Sequence, residues 1–194
     1  MRYQLPYKKI VGIKEAQKLA QLWRKQGLRL VATSGVFDIA TFKHPEYLQA
    51  ASNLGDKLIV RLDSDLHIQK NKNPQGSVIP WRMRSKHLAH YPYVDLIVPN
   101  PGGVDWIEKL MPDVSVFSIT SSSEIGRKIE IMQPYFNKIS TEVVVMDELF
   151  NLVPKKLIKT KALKYEKSKL NKKHISGTLI KEEIVRRALQ RRKI

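Results

Sequence analysis

The sequence predicts an α/β fold in which a five-stranded parallel sheet carries helices on both faces, and three observations lead there. Short apolar runs at residues 28–33, 57–62, 94–98, 114–119 and 142–146 alternate with stretches of helical periodicity, the pattern of parallel strands joined by crossover helices. Residues 30–48, LVATSGVFDIATFKHPEYL, pass from a buried strand through a glycine-bearing loop to a helix start with Pro45 in its first turn. Gly55 then stops that helix just before the next apolar run, so residues 28–62 read as one βαβ crossover.

Each element has its own justification. Ala16, Leu19, Ala20, Leu22 and Trp23 recur at helical spacing, giving a helix over 14–26 whose face they bury, followed by a turn at Gln26-Gly27. Ser34, Gly35 and Asp38 break the first strand, and a helix over 46–54 follows. A strand, a glycine loop and a helix start in that order make an anion site at the carboxyl edge of a sheet. Asp63 and Asp65 end the second strand; a ribose hydroxyl or a metal is within their chemistry, and turn capping is the preferred role. Residues 69–80 lack an apolar period and read as a loop.

A helix over 81–90 turns Leu88 and Ala89 inward and leaves Arg82, Arg84 and Lys86 outside. His87 and His90 sit three apart without a third ligand, which favours exposed helix residues over a metal site. Helices over 104–110 and 123–133 precede the last two strands. Beyond Pro154, nine lysines between Lys155 and Lys173 face a single acid, Glu166. Such a run serves either as a lid over a polyphosphate or as a contact for nucleic acid. A last amphipathic helix presents Ile184, Val185 and Leu189.

Composition sets outer limits. At 194 residues and 42% hydrophobic the chain can bury one core, so a single domain over 1–194 is expected: a lead-in helix (1–27), an α/β core (28–150), and a basic segment with a C-terminal helix (151–194). Cysteine is absent, which excludes disulfides and thiolate metal sites and agrees with a reducing compartment. With no apolar run of membrane-spanning length and no apolar segment in MRYQLPYKK, a cytoplasmic protein without membrane partners is expected. Thirty-five Lys and Arg against 18 Asp and Glu give +17, a field that attracts polyanions. A dedicated nucleic-acid binder rests on that charge alone, since no recognition-helix or stacking motif accompanies it.

The pattern Gly35-Val36-Phe37-Asp38, then two residues, then Thr41-Phe-Lys43-His44, resembles the G-x-F-D-x-x-[HT]-x-G-H signature of the cytidylyltransferase-like nucleotidyltransferases. Ile175-Ser176-Gly177-Thr178-Leu-Ile180 resembles the pattern with which that superfamily opens its C-terminal helix. The layout is most similar to the adenylyltransferase domain of ADP-heptose synthases, with glycerol-3-phosphate cytidylyltransferase a close relative, and the likeness runs from about residue 9 to residue 184.

The resemblance implies a Rossmann-like nucleotidyltransferase fold and a reaction in which an acceptor phosphate attacks the α-phosphorus of ATP or CTP. The acceptor would be a phosphorylated small molecule, a sugar phosphate by preference, with ATP somewhat favoured over CTP and Mg2+ bound to the triphosphate. It assigns His44, Thr41 and Lys72 to catalysis. Gly35, Val36, Phe37, Asp38, Lys43, Ser176, Gly177 and Thr178 go to nucleotide binding, and Arg84 to anchoring the acceptor or the phosphate tail. A homodimer is a further expectation by resemblance. Lys43 replaces the motif's glycine and either obstructs the pocket or supplies a phosphate contact. The family's acceptor motif after Pro112-Asp113-Val114 is also replaced, by Phe117-Ser-Ile-Thr-Ser121. These two departures support the alternative, a non-catalytic relative that binds nucleotides or polyanions.

Overall fold

The computed structural model describes residues 6–118 and 125–146. Ser176, Gly177, Thr178, the lysine-rich segment and the last helix lie outside the described residues.

A short 3-10 turn, Pro6–Lys9, leads to α1 (Ile13–Lys25), β1 (Leu30–Gly35), α2 (Lys43–Ser52), β2 (Lys57–Asp63), α3 (Asp65–Asn71) and α4 (Trp81–Ala89). Then come β3 (Leu96–Asn100), α5 (Trp106–Leu110), β4 (Val114–Ser118), α6 (Ile125–Lys138) and β5 (Glu142–Met146). The strands form one five-stranded sheet in the order β3-β2-β1-β4-β5, and every pairing is parallel. Strand order reverses at β1, between β2 and β4, and such a switch point opens a crevice at the carboxyl edge of the sheet.

Alternation along the strands divides the core into two layers. Val31, Leu58, Val60, Leu62 and Val116 pack against Tyr47, Leu48 and Ala51 of α2 and Leu88 and Ala89 of α4. Ala32, Ile59, Val98, Phe117 and Val145 pack against Ala16 of α1, Trp106, Ile107 and Leu110 of α5, and Phe136 of α6. Helices therefore cover both faces, and the Rossmann-like α/β expectation holds.

Several local expectations are corrected. Leu22 is 50% exposed, because Ala16, Leu19, Ala20 and Trp23 already form the inward stripe of α1 and Leu22 lies off it. The first strand begins two residues later than its apolar run. The N–H of Leu28 closes the end of α1 by bonding Trp23 O at 3.0 Å, while Gly27, at φ +77°, donates to Arg24 O at 2.9 Å. This paired closure requires a left-handed residue at the glycine. Residues 69–71 belong to α3 rather than to a loop. Ser64 caps that helix by accepting from His67 N–H at 3.1 Å, and Ile68 is its only buried side chain, so no apolar period advertises it. The sixth helix runs through Pro134 to Lys138.

Candidate functional site

The segments that follow β1 and β2 and the connection between α3 and α4 are stitched to one another at one edge of the sheet. Gly35 and Leu62 are register partners, so the chain departs from β1 and β2 at the same level. Arg84, expected outside, is instead 1% exposed. Its guanidinium donates to Val36 O (2.5 Å), Ile79 O (2.8 Å) and Asp63 O (3.0 Å) and pairs with Asp65 Oδ1 (2.5 Å). A planar fork with several donors suits that convergence of carbonyls. The site geometry thus gives Arg84 a clamping position beneath the loops in place of the exposed anchor expected for a ligand phosphate.

Two carboxylates complete the stitching. Asp38, expected among the nucleotide contacts, is buried and accepts from Val78 N–H (2.8 Å) and Ile79 N–H (2.7 Å), so it fastens the 78–79 loop to the one after β1. Asp65 accepts from Trp81 N–H at 2.9 Å, the first residue of α4, and from Ser77 Oγ at 2.8 Å. Burial opposes ionisation of Asp65, but the Trp81, Arg84 and Ser77 hydrogen bonds outweigh it and hold the carboxyl below the ordinary range. The local turn capping expected of this aspartate falls instead to Ser64, while Asp65 ties the start of α4 to the end of β2. Asp63 differs: it is 1% exposed and paired with Lys72.

The functional candidates stand over this base. Phe37 adopts φ +46° and turns its ring back over Gly35, where an added Cβ would lie 2.7 Å from Phe37 Cε2. Only glycine admits that approach. The Phe37 ring also meets the His44 ring in a T-shaped contact, with centroids 5.6 Å apart. Thr41 N–H donates to His44 Nδ1 at 2.9 Å, the Thr41 hydroxyl lies 3.2 Å from the same nitrogen, and His44 N–H donates to Thr41 O at 3.1 Å. A backbone N–H can only donate, so Nδ1 accepts and the neutral ring carries its proton on Nε2. Burial lowers the His44 pKa, and His87 acts in the same direction. The result is a neutral imidazole whose remaining donor, Nε2–H, is unused by that local bonding.

The first turn of α2 spends its own backbone donors locally, because Pro45 has no N–H and His44 N–H goes to Thr41. The anion-binding capacity expected of this helix start therefore rests largely on side chains: His44 Nε2–H, the Thr41 hydroxyl and Lys43. Lys43 is half-buried, is the first residue of α2, and makes no ion pair among the described residues. Lys72 follows α3 and directs its ammonium onto Asp63 at the end of β2. The edge thus brings together Gly35, Val36, Phe37, Asp38, Thr41, Lys43 and His44 after β1 with Lys72 after β2, and Arg84 ties the two groups from below.

His87 and His90 are exposed, as expected, and bond to Tyr91 Oη (2.7 Å) and Lys86 O (2.8 Å). No group of three His, Asp or Glu converges as a metal site among the described residues. Nor is any helix there long and apolar enough to cross a membrane. Sequence reasoning missed a polar line under Lys72, comprising Asp63, Asn100 and Arg61 with Trp106 against it. Its one legible sign was Arg61 in the middle of an otherwise apolar strand.

The chain is similar to several known proteins. The chain is 34% identical over 108 residues to Bifunctional protein HldE of Methylobacillus flagellatus, covering 55% of this chain and 22% of that protein. It is 33% identical over 128 residues to the protein of the same name from Campylobacter jejuni subsp. doylei, covering 62% and 28%. The chain thus spans about a quarter of the length of these curated relatives. Among solved structures, the lipopolysaccharide core biosynthesis protein from Thermoplasma volcanium superposes with a TM-score of 0.52 at 19% identity, covering 66% of this chain and all of that one. Pantoate-beta-alanine ligase from Francisella tularensis gives 0.54 at 11% identity, covering 71% and 66%. Both share the fold. The family described as Cytidylyltransferase-like matches residues 32–183, from the middle of β1 onward. Since that match takes in most of the chain and includes every residue gathered at the β1 and β2 edge, this protein belongs to the cytidylyltransferase-like family.

Proposed function

We propose that the protein is a nucleotidyltransferase that moves a nucleoside monophosphate from a magnesium nucleoside triphosphate to a phosphorylated small molecule, with release of pyrophosphate. The observation that carries this reading is the pinned imidazole of His44. Its Nδ1 is held by Thr41 N–H at the carboxyl edge of the central strand, leaving Nε2–H as a fixed donor at the switch point of the sheet. The likeness to HldE, together with this sequence's resemblance to the adenylyltransferase domain of ADP-heptose synthases, supports ATP over CTP and a sugar phosphate as acceptor.

In this reading an anionic oxygen of the acceptor phosphate attacks the α-phosphorus in line. The new P–O bond forms as the α–β bridge breaks, and its electron pair leaves with pyrophosphate. No proton has to be removed from the attacking oxygen, so positioning and charge stabilisation carry the reaction. His44 Nε2–H donates to the phosphate oxygens on which charge grows, and the Thr41 hydroxyl assists. Lys43 contacts the phosphate tail, Lys72 receives the acceptor phosphate, and Ser176 and Thr178 grip the β and γ phosphates. Magnesium enters with the nucleotide as part of the substrate; Asp38, Asp63 and Asp65 are each engaged by protein donors, which leaves the ion to phosphate oxygens and water. Arg84 and Asp38 hold the loops in place.

The test is calorimetric titration with magnesium ATP and with magnesium CTP at physiological salt, followed by pyrophosphate release across a panel of sugar phosphates. Saturable binding of one nucleotide and acceptor-dependent release are expected. Weak binding of both that salt abolishes would overturn the proposal and favour the second reading, a non-catalytic polyanion binder, for which Lys43 at the helix start is the specific observation.

A further inference from the structure

The lysine assigned to the acceptor phosphate already has a partner. Along β2, Arg61 and Asp63 point to the same face of the sheet, and both are buried, 3% and 1% exposed. Asp63 Oδ1 accepts from Asn100 Nδ2 at 2.5 Å, and Oδ2 pairs with the Lys72 ammonium. Asn100 Oδ1 in turn accepts from Arg61 Nη2 at 2.6 Å, and the Arg61 guanidinium lies 3.8 Å from the centre of the Trp106 ring. Of this line only Lys72 reaches solvent, its side chain 33% exposed.

Two cations thus attend one buried carboxylate, while the exposed Asp105, itself paired with Lys109, also acts on Arg61. Burying Arg61 is costly, and neutralising Asp63 needs only Lys72. The arrangement is economical if Lys72 has to leave: Arg61, linked through Asn100, then keeps the remaining buried set neutral, and no bare carboxylate is stranded. We infer that Asp63 is a positioning residue that holds Lys72 at rest and yields it to the acceptor phosphate, so that the site selects dianionic phosphate esters over singly charged acids. The selection follows from the exchange. Lys72 gives up one negative charge on Asp63, and only a partner bearing more charge than that carboxylate compensates for the loss. This inference rests on the proposed role of Lys72, while the hold on Lys72 can be measured without any turnover.

The experiment follows Lys72 itself. The full chain is acetylated with limiting acetic anhydride, and the labelling rates of Lys72 and Lys70 are read by peptide mass spectrometry in the parent, Asp63→Asn and Asp63→Glu proteins. Lys72 is expected to label several-fold more slowly than Lys70 in the parent. Asp63→Asn, which keeps the shape and the Asn100 contact, should erase the difference, and Asp63→Glu should restore part of it. Calorimetry with inorganic phosphate and with acetate is the second measurement. Asp63→Asn should tighten phosphate about tenfold, by freeing one charge-assisted contact, and should narrow the preference for phosphate over acetate; in a Lys72→Ala background it should do neither. Unchanged Lys72 labelling in Asp63→Asn, or phosphate binding left equal or weaker, would overturn the inference. Should Asp63→Asn fail to fold, saturating phosphate must still alter Lys72 labelling in the parent and spare Lys70, and no change would again overturn it. A protein that shows the hold and the exchange yet releases no pyrophosphate would refute the transferase reading alone.

Discussion

The backbone N–H of Thr41 points at Nδ1 of His44 from 2.9 Å and decides which nitrogen of the ring keeps its proton. Burial adds to this by disfavouring the charged form. His44→Ala is therefore expected to lower kcat by about 10²–10³-fold, the loss typical of one preorganised donor, with the fold unchanged by circular dichroism. An unaltered rate of pyrophosphate release would remove His44 from the mechanism.

The same histidine predicts a pH dependence. Its folded-state pKa lies below the ordinary 6.5, so the unfolded chain takes up the proton first as the pH falls. Stability is full above the unfolded pKa and declines as the pH drops from 6.5 towards the folded value. Protonation at Nδ1 also confronts the Thr41 N–H, so kcat/KM should be level from pH 8 to 6.5 and fall below that. Titration of the His44 ring by NMR gives the midpoint; a value above 6.5 contradicts the assignment.

Arg84 binds three main-chain carbonyls and one carboxylate while fully enclosed. Arg84→Met keeps much of the volume and strands those acceptors. A loss of about 3 kcal/mol or more in unfolding free energy is expected, by the cost of leaving buried partners unpaired, and urea denaturation measures it. A change confined to acceptor KM, with stability intact, would instead return Arg84 to the role of ligand anchor.

These contacts show what was legible in the chain. The parallel direction and the layering of the sheet followed from apolar runs separated by helical periods, because those patterns record burial directly; the strand order did not. His44 and Thr41 stood out in the sequence only because the stretch from Gly35 to His44 resembles a family signature; the bond between them, three residues apart, was not foreseen. Arg84 was not, since its partners lie 5, 19, 21 and 48 positions away, and a lone arginine on a helix of mixed composition carries no sign that it points inward. The protein partners of Asp38 and Asp63 were hidden for the same reason: a carboxylate near a strand end looks alike whether it meets a ligand, a loop N–H or a lysine. The short helix α3 escaped because a single buried side chain, Ile68, gives no period to read.

Lys43 stands first in α2, half-buried beside His44, without an ion pair among the described residues. If it serves as a phosphate ligand, Lys43→Gly should weaken magnesium ATP about tenfold, near 1.4 kcal/mol, the scale of one charge-assisted hydrogen bond. Calorimetry at physiological salt reads this directly, and tighter binding by the glycine variant would identify the lysine as an obstruction.

Gly35 offers the sharpest separation of packing from chemistry. An alanine methyl there would sit 2.7 Å from Phe37 Cε2 and 3.2 Å from Cδ2 and Cζ. The ring cannot swing freely into solvent, because Phe37 is buried and its ring already contacts His44. Relief has to shift a ring that touches the imidazole, which is expected to disturb the bond that Thr41 makes to Nδ1. Overpacking of this kind costs about 1–3 kcal/mol, which a thermal melt will register. The catalytic loss should be larger than that figure suggests, since displacement of a preorganised donor by even an ångström is costly. Gly35→Ala should thus lower kcat by about tenfold or more while most of the protein stays folded at 25 °C. The double variant Gly35→Ala with Phe37→Leu, which removes the clashing ring atoms, should regain stability without regaining the full rate. Equal recovery of both would mean that the Phe37 ring contributes nothing to orienting His44.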